Sequence, residues 1–378
     1  MERSVSEDVS NYAPLQIPES NAPIEYSDDQ LRAIEGMSDF VKSGRVGVYR
    51  VGGYAGTGKT TTIAYVVDRF PGSAVCAFTG KAASVLRSKG MDGNTIHSTI
   101  YHWDEKKEEF RLMSPWEMNA EYFVIDEGSM VSRSLWEDLQ TFGKPIIVVG
   151  DPGQLEPVGD DPRLMHDPDI ILEKIHRQAE GSAIIEFANH VRRGGIFKMG
   201  CKREVLIGGP ELFEDSLEWA DQLLCGFNRT RVGVNSKVRM LRGKDGVIDD
   251  GERLICLRNN AAIGVFNGMM MTVARRVHAD RDWIECDVVT DDGKEMRHRM
   301  YLHHFGLEKP LPFEKLRRLD DDLVICDYGY CCSVHKFQGS EADKVAVLDQ
   351  QCDVWDPVRW RYTAITRSAK ELRYCMSQ

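Results

Sequence analysis

Eight consecutive residues, Gly53-Tyr54-Ala55-Gly56-Thr57-Gly58-Lys59-Thr60, fit the pattern G-x-x-x-x-G-K-[ST] in full. Their types suit one chemistry, the holding of a nucleotide's phosphates. Gly53, Gly56 and Gly58 let backbone N–H groups turn towards the phosphates, and the start of the next helix adds a favourable dipole. Lys59 is expected to reach the β- and γ-phosphates and Thr60 to hold Mg²⁺, with Thr57 and Thr61 in the same cradle.

A second constellation follows at "FVIDEGSM". Asp126 ends an apolar run and is placed to bind Mg²⁺, directly or through water. Glu127 is placed to polarise an attacking water. An Asp-Glu pair alone is a common acidic turn. Downstream of a phosphate loop it implies hydrolysis of a nucleoside triphosphate more than binding alone.

The elements that must position these groups are legible as alternation. "RVGVYRV", "SAVCAFT", "YFVIDE" and "PIIVVGD" read as short buried strands. "TTTIAYVVDRF", "GKAASVLRSKG" and "SLWEDLQTFG" read as helices between them. Such alternation gives a parallel sheet covered on both faces, with functional residues at the C-terminal strand edges. Ser27 or Asp28 is expected to cap a preceding helix carrying Leu31, Ile34, Met37 and Phe40. Further on, "PDIILEKIHRQAEGSAIIEFANHVRRGG" reads as helical, "ADQLLCGFNRTRVGVNSKVRMLRG" as strand, turn and helix, and Asp245 to Asp321 as strand-rich.

Composition narrows the class. The 378 residues have room for two or three domains, and 42 % hydrophobic content is ordinary for a globular protein. The acidic, polar start lacks the pattern of a secretory signal, and no apolar run has membrane-spanning length. Ten cysteines without a repeated C-x-x-C pair read as reduced thiols, so a cytoplasmic protein is expected. The net charge of −11 argues against a uniformly basic nucleic-acid binder but leaves room for a local basic groove.

A third strand ends in "VVGDPGQLEPVG". With that segment in place, the chain resembles the superfamily 1 DNA helicases, in particular the 5′-to-3′ branch with RecD-like and phage Dda-like enzymes, from about Tyr26 to Arg373. The resemblance implies roles for further residues. In "SDDQLRAI", Gln30 would read the adenine edge. In "FTGKAASVL", Thr79 and Lys81 would grip single-stranded DNA, and His97 in "TIHSTIY" would lie on the same side. Gln154 would sense the γ-phosphate and link it to the DNA groove. "LEKIHRQ" nominates Arg177, and "YTAITRS" nominates Arg367, as arginine fingers. "VHKFQGSEADKV" nominates His335 on the DNA side, Lys336 as a further member of the motif, and Gln338, Gly339 and Glu341 towards the nucleotide. Gly128 stands where that family usually has alanine, an exchange expected to be harmless, and Phe337 stands where a small residue is common.

"YHWDEKKEEFRLM" reads as a β-hairpin with Asp104 to Glu109 near its tip. In the resembled branch this location holds the pin that splits the duplex, and Trp103 would contact DNA there. The other reading makes Trp103 and Phe110 a cross-strand pair that stabilises the hairpin.

The expected architecture is therefore α/β, with two tandem RecA-like P-loop motor domains built on parallel sheets. Residues 1–24 form a flexible arm. Residues 25–160 form the first motor domain, with the hairpin at about 98–114. Residues 161–244 and 322–378 form the second, and residues 245–321 a β-rich, SH3-like insertion. The expected activity is ATP- and Mg²⁺-dependent DNA unwinding with 5′-to-3′ movement on single strands, serving replication, recombination or repair. Its partners would be single-stranded and forked DNA, together with replication or recombination proteins such as a single-strand binding protein, and the chain would act as a monomer. Two other readings are a single-strand translocase that displaces proteins or serves recombination without strand separation, and a catalytically silent DNA-binding scaffold.

Overall fold

The structure is a computed structural model that describes residues 26–104, 109–157, 159–175, 181–260, 263–316, 319–320 and 322–376. The expected N-terminal arm lies outside the described residues.

The first unit begins with α1 (Asp28–Ser43), β1 (Gly47–Gly53), α2 (Lys59–Arg69), β2 (Ser73–Ala77), α3 (Gly80–Ser88), β3 (Gly93–Thr95) and α4 (Ile96–Ile100). It continues with the hairpin β4 (Tyr101–Asp104) and β5 (Glu109–Leu112), then β6 (Tyr122–Asp126), α5 (Arg133–Gln140), β7 (Pro145–Gly150) and β8 (Ile170–Leu172). Six strands form one sheet in the order β3-β2-β6-β7-β1-β8, parallel throughout. β6 and β7 are buried along their whole length, as continuous apolar strands between two helical layers must be. One core cluster gathers Ile34, Val51, Ile63 and Leu86, and another gathers Ile96, Phe123, Leu135 and Val148.

Ile170–Leu172 corrects one expectation. This run was expected to be helical, but it pairs in register with Val51, Gly52 and Gly53. A short apolar run fits either state by pattern alone, and an open sheet edge beside β1 decides it. The first sheet thus continues past residue 160.

The second unit contains α6 (Ala183–Arg192), β9 (Gly200–Lys202), β10 (Val205–Gly208), α7 (Pro210–Glu214), β11 (Gln222–Cys225) and α8 (Asn228–Leu241). Within it lie β12 (Arg253–Cys256), β13 (Met270–Ala279), β14 (Trp283–Thr290), β15 (Glu295–Tyr301), α9 (Phe313–Leu316), β16 (Leu323–Val324) and β17 (Cys326–Tyr328). It closes with β18 (Cys331–Ser333), β19 (Ala342–Leu348), α10 (Pro357–Ile365) and β20 (Ser368–Cys375). The sheet β18-β11-β19-β20-β10-β9 is parallel except for the edge strand β9.

β12 to β17 make a third sheet, in the order β16-β15-β14-β13-β12-β17 and mostly antiparallel. It is no separate lobe. Leu254, Met271 and Val288 share one core cluster with Cys225 and Cys331 of the motor sheet and Val238 of α8. Arg239 of α8 meets the fully buried Glu252 at 3.0 Å beside that junction.

All ten cysteines are free, eight of them buried. Among the described residues, no helix is long and apolar enough to cross a membrane.

Candidate functional site at the domain interface

The phosphate loop connects β1 to α2. Gly56 and Gly58 have φ of 78° and 76°, the left-handed region that glycine enters at little cost. A side chain at Gly53 would come within 2.8 Å of Lys59 Cγ and Thr57 Oγ1. Lys59 Nζ donates to the carbonyls of Gly53 (2.8 Å) and Tyr54 (3.1 Å), so the ammonium sits over the loop. Thr57 Oγ1 donates to Tyr54 O at 2.8 Å. Thr60 and Thr61 occupy the first turn of α2.

Gln30 braces this loop. Its Oε1 accepts the Ser27 N–H at 3.0 Å in a capping box, and its Nε2 donates to Thr57 O at 3.1 Å. Its amide is buried and already bonded on both sides. Asp29, beside it, accepts the N–H groups of Glu173 and Lys174 at 2.8 and 3.0 Å, tying α1 to the segment after β8. Burial alone would raise the Asp29 pKa, but hydrogen bonds from Ser27 and from these backbone groups bring it below the ordinary carboxylate value.

Asp126 ends β6. Burial, and secondarily the nearby Glu127 charge, push its pKa up to about 7. Glu127 sits at φ 57°, an uncommon conformation for a non-glycine residue. Its Oε2 is buried and finds no hydrogen-bond partner among the described residues. A buried carboxylate whose ionisation is penalised, beside an orphaned carboxylate oxygen, is a donor set that fits a hard divalent cation. Asp126 and Thr60 are the residues that would hold Mg²⁺. Gly128 follows because a Cβ there would lie 2.3 Å from Val148 Cγ1, so alanine would not fit without a shift in β7.

The segment after β7 is clasped by the second unit. Gln338 Nε2 donates to Gln154 Oε1 (3.4 Å) and Leu155 O (3.1 Å). Leu155 N–H donates to Thr363 Oγ1 (2.9 Å), and Arg359 reaches Gln154 O (3.3 Å). Leu155 is buried in the second unit's core with Phe337, whose size there fills the interface.

Arg367 is 4 % exposed and donates to Thr363 O, Ser340 O and Thr366 Oγ1 at 3.1 to 3.2 Å. All three acceptors are neutral, and no carboxylate pairs with it among the described residues. A buried guanidinium held this way is poised for an anion. Arg177 lies outside the described residues. Glu341 is exposed just before β19, two residues after Gly339, whose φ is 75°.

The residues assigned to DNA come from both units. Thr79 caps α3, accepting the Ala82 N–H at 3.1 Å, and its Oγ1 lies 3.3 Å from where a Cβ on Gly339 would stand. Lys81 is 3.6 Å from Asp291 of the β-rich insertion, and Asp291 also takes both arms of Arg253. His97 is exposed and stacks on Tyr101, which bonds to Asp138. Burial lowers the pKa of His335 and of Lys336, and Lys336 bonds to Asn267. The hairpin forms with Trp103 opposite Phe110, which is 65 % exposed. Residues 105–108 and the Trp103 side chain lie outside the described residues.

Sequence reading missed three groups. Tyr362 accepts the Ala55 N–H at 2.9 Å and donates to Asp151 Oδ2 at 2.7 Å. Burial, reinforced by Asp151, pushes its phenol far above the ordinary value, so it stays protonated and keeps donating. Arg192 lies over the Tyr54 ring, 3.5 Å from its centroid. Trp355 packs between His335 (5.3 Å) and Phe227 (5.4 Å) beyond the ends of the second sheet's strands. Tyr362 opens the "YTAITRS" segment, but no spacing rule connects it to a loop about three hundred residues earlier.

The chain is similar to several known proteins. An AAA domain family matches residues 25–201, and a UvrD-like helicase C-terminal domain family matches residues 328–374. A probable conjugal transfer protein TraA of Sinorhizobium fredii is 26 % identical over 85 % of this chain, and TraA of Agrobacterium fabrum is 25 % identical over 92 %. This chain spans 30 % and 32 % of their lengths, about a third of each. Its fold is that of Bacteroides Pif1 helicase in complex with ADP-AlF3 and single-stranded DNA, with TM-score 0.59, 17 % identity, and 93 % and 92 % of the two chains covered. Candida albicans Pif1 helicase gives TM-score 0.55 and 18 % identity over 93 % of this chain and 94 % of its own. With an AAA domain match in its first half, a UvrD-like helicase C-terminal domain match at its end and the Pif1 fold along nearly its whole length, the chain resembles the superfamily 1 helicases of the RecD-like and Pif1-like kind.

Proposed function

We propose that the protein is an ATP-driven DNA motor that moves 5′ to 3′ on single strands and separates duplex DNA. One observation carries the reading. The phosphate loop, Asp126 and Glu127 belong to one parallel sheet, while the buried Arg367, which has no carboxylate partner among the described residues, belongs to the other. Such a site is completed only when both domains engage the nucleotide.

Phosphoryl transfer needs little covalent chemistry from the protein and much positioned charge. Lys59 and the loop N–H groups hold the β- and γ-phosphates. Glu127 orients water and takes its proton. Arg367, with Arg177, neutralises charge developing on the transferred group. Mg²⁺, held by Asp126 and Thr60, would supply further charge neutralisation. Gln154, bonded to Gln338, carries the state of this site towards Thr79 and Gly339, where both domains meet the DNA side. There Thr79, Lys81, His97 and His335 would hold backbone and bases, with Trp355 and Phe227 as stacking surfaces worth about 1–3 kcal/mol per base. The hairpin would stand at the fork. The TraA relatives are conjugal transfer proteins, which supports work on DNA. Replication or recombination partners, a single-strand binding protein among them, and a monomeric motor belong to the same reading.

The direct test is Lys59→Ala. Losing this charge should lower DNA-stimulated ATP turnover by about 10²–10³-fold or more, the scale of a positioned electrostatic group. Phosphate release with and without oligo(dT) measures it, and retained turnover would sink the motor assignment.

A second expectation concerns grip. Asp291 pairs with both Lys81 and Arg253 and so competes with a DNA phosphate. An ion pair of this exposure is worth about 0.2–1 kcal/mol, so Asp291→Asn should tighten oligo(dT) binding by up to about five-fold at low salt. Unchanged or weaker binding by anisotropy would place Lys81 outside the DNA path.

A further inference from the structure

Tyr362 holds the phosphate loop and the Asp151–Leu155 segment through one buried hydroxyl. The oxygen accepts the Ala55 N–H at 2.9 Å, and its proton goes to Asp151 Oδ2 at 2.7 Å. The other carboxylate oxygen, Asp151 Oδ1, accepts the Gly153 N–H at 2.8 Å, fixing the turn that presents Gln154. Gln154 is then bonded to Gln338 on the second domain. The chain of contacts is unbroken: Ala55, Tyr362, Asp151, Gly153, Gln154, Gln338.

The surroundings leave little freedom. Tyr362 has no exposed surface, and Tyr54 and Ala55 pack directly on the second domain's core. A Cβ at Gly153 would stand 3.0 Å from both Tyr362 Cε1 and Arg192 Cδ, so a side chain there would push these neighbours back by a few tenths of an ångström. Arg192 covers the Tyr54 ring from the other side, and its hydrogen bonds go to Asn189 at 3.3 Å. The loop's second and third residues are therefore held by the second domain as well as by the Thr57 and Lys59 bonds to Tyr54 O within the loop.

We infer that Tyr362 is the positioning residue that couples the phosphate loop to the Gln154–Gln338 contact, so that a change at the nucleotide alters the grip on DNA through this one hydroxyl. The inference rests on the motor reading above. It assigns Tyr362 no contact with substrate. A shift of Ala55 on phosphate binding changes the hydroxyl's acceptor role, and the same oxygen's proton holds Asp151 and hence the Gln154 turn. Coupling of this kind is reciprocal, so DNA must change nucleotide affinity by the factor with which nucleotide changes DNA affinity.

The test uses the whole chain. Oligo(dT) affinity is measured by anisotropy with and without the non-hydrolysable analogue AMP-PNP, for wild type and Tyr362→Phe. Phenylalanine keeps the buried ring and removes both hydrogen bonds. In wild type the two affinities should differ by about 5- to 150-fold, the usual range of such coupling. In Tyr362→Phe the ratio should fall below about three, while oligo(dT) binding without nucleotide and AMP-PNP binding without DNA each stay within about three-fold of wild type. A merely structural tyrosine would weaken both affinities and leave their ratio unchanged. A wild-type ratio in folded Tyr362→Phe overturns the inference. Should that variant not fold, Asp151→Asn takes its place: it removes the charge that receives the Tyr362 proton, and it should lower the ratio in the same direction. An unchanged ratio there overturns the inference equally. DNA-stimulated ATP hydrolysis by the wild type separates the two claims. If it is absent, the motor reading falls. If it is present without any nucleotide-dependent ratio, only the coupling role falls.

Discussion

Arg367→Ala should lower DNA-stimulated ATP turnover by about 10³–10⁵-fold, the effect of removing an arginine that neutralises the transferring phosphoryl group. Nucleotide affinity should move by only a few-fold, because the guanidinium is needed most where charge develops in the transition state. The residue also donates three hydrogen bonds inside its own domain, each worth about 1 kcal/mol, so some stability will be lost as well. Arg367→Lys separates the effects. Lysine keeps the charge but loses the planar fork, and it should remain strongly impaired while its Tm recovers towards wild type. Full turnover in Arg367→Lys would make Arg367 a structural residue only.

Glu127→Gln should leave ATP binding intact and lower hydrolysis by about 10²–10⁴-fold, the range for a positioned general base. The left-handed backbone at Glu127 and its Oε2, buried without a partner among the described residues, are the local signs that this side chain is held for something other than packing. Glutamine has nearly the same shape and cannot take a proton. Trapped, tightly bound ATP is the expected outcome in a single-turnover experiment. Normal hydrolysis would move the water-orienting role to another group.

Much of this site was legible because its pieces are contiguous. The phosphate loop and the Asp126-Glu127 pair are short stretches whose chemistry demands a few residue types at fixed spacing, between a strand and a helix. The first sheet was legible for a related reason: continuous apolar runs such as Tyr122–Asp126 and Pro145–Gly150 can only be buried strands in an alternating pattern. Ile170–Leu172 was not legible, because its partner β1 lies more than a hundred residues earlier. The same limit hid Tyr362, Arg192 and Trp355, whose roles come from contacts between distant segments. Gln30 shows a subtler limit. Its place in the pattern pointed to the adenine edge, while the structure bonds its amide to Ser27 and Thr57, so it shapes the loop whatever else it does. Gly128 looked interchangeable with alanine until Val148 was placed against it.

The central claim is that nucleotide hydrolysis between the two domains drives directional movement on one DNA strand. Unwinding of matched forked duplexes, one carrying a single-stranded 5′ tail and one a 3′ tail, tests it most directly. The account predicts ATP-dependent separation of the 5′-tailed substrate, little of the 3′-tailed one, and none by Lys59→Ala. Separation of the 3′-tailed substrate alone, or equal separation without ATP, would contradict it.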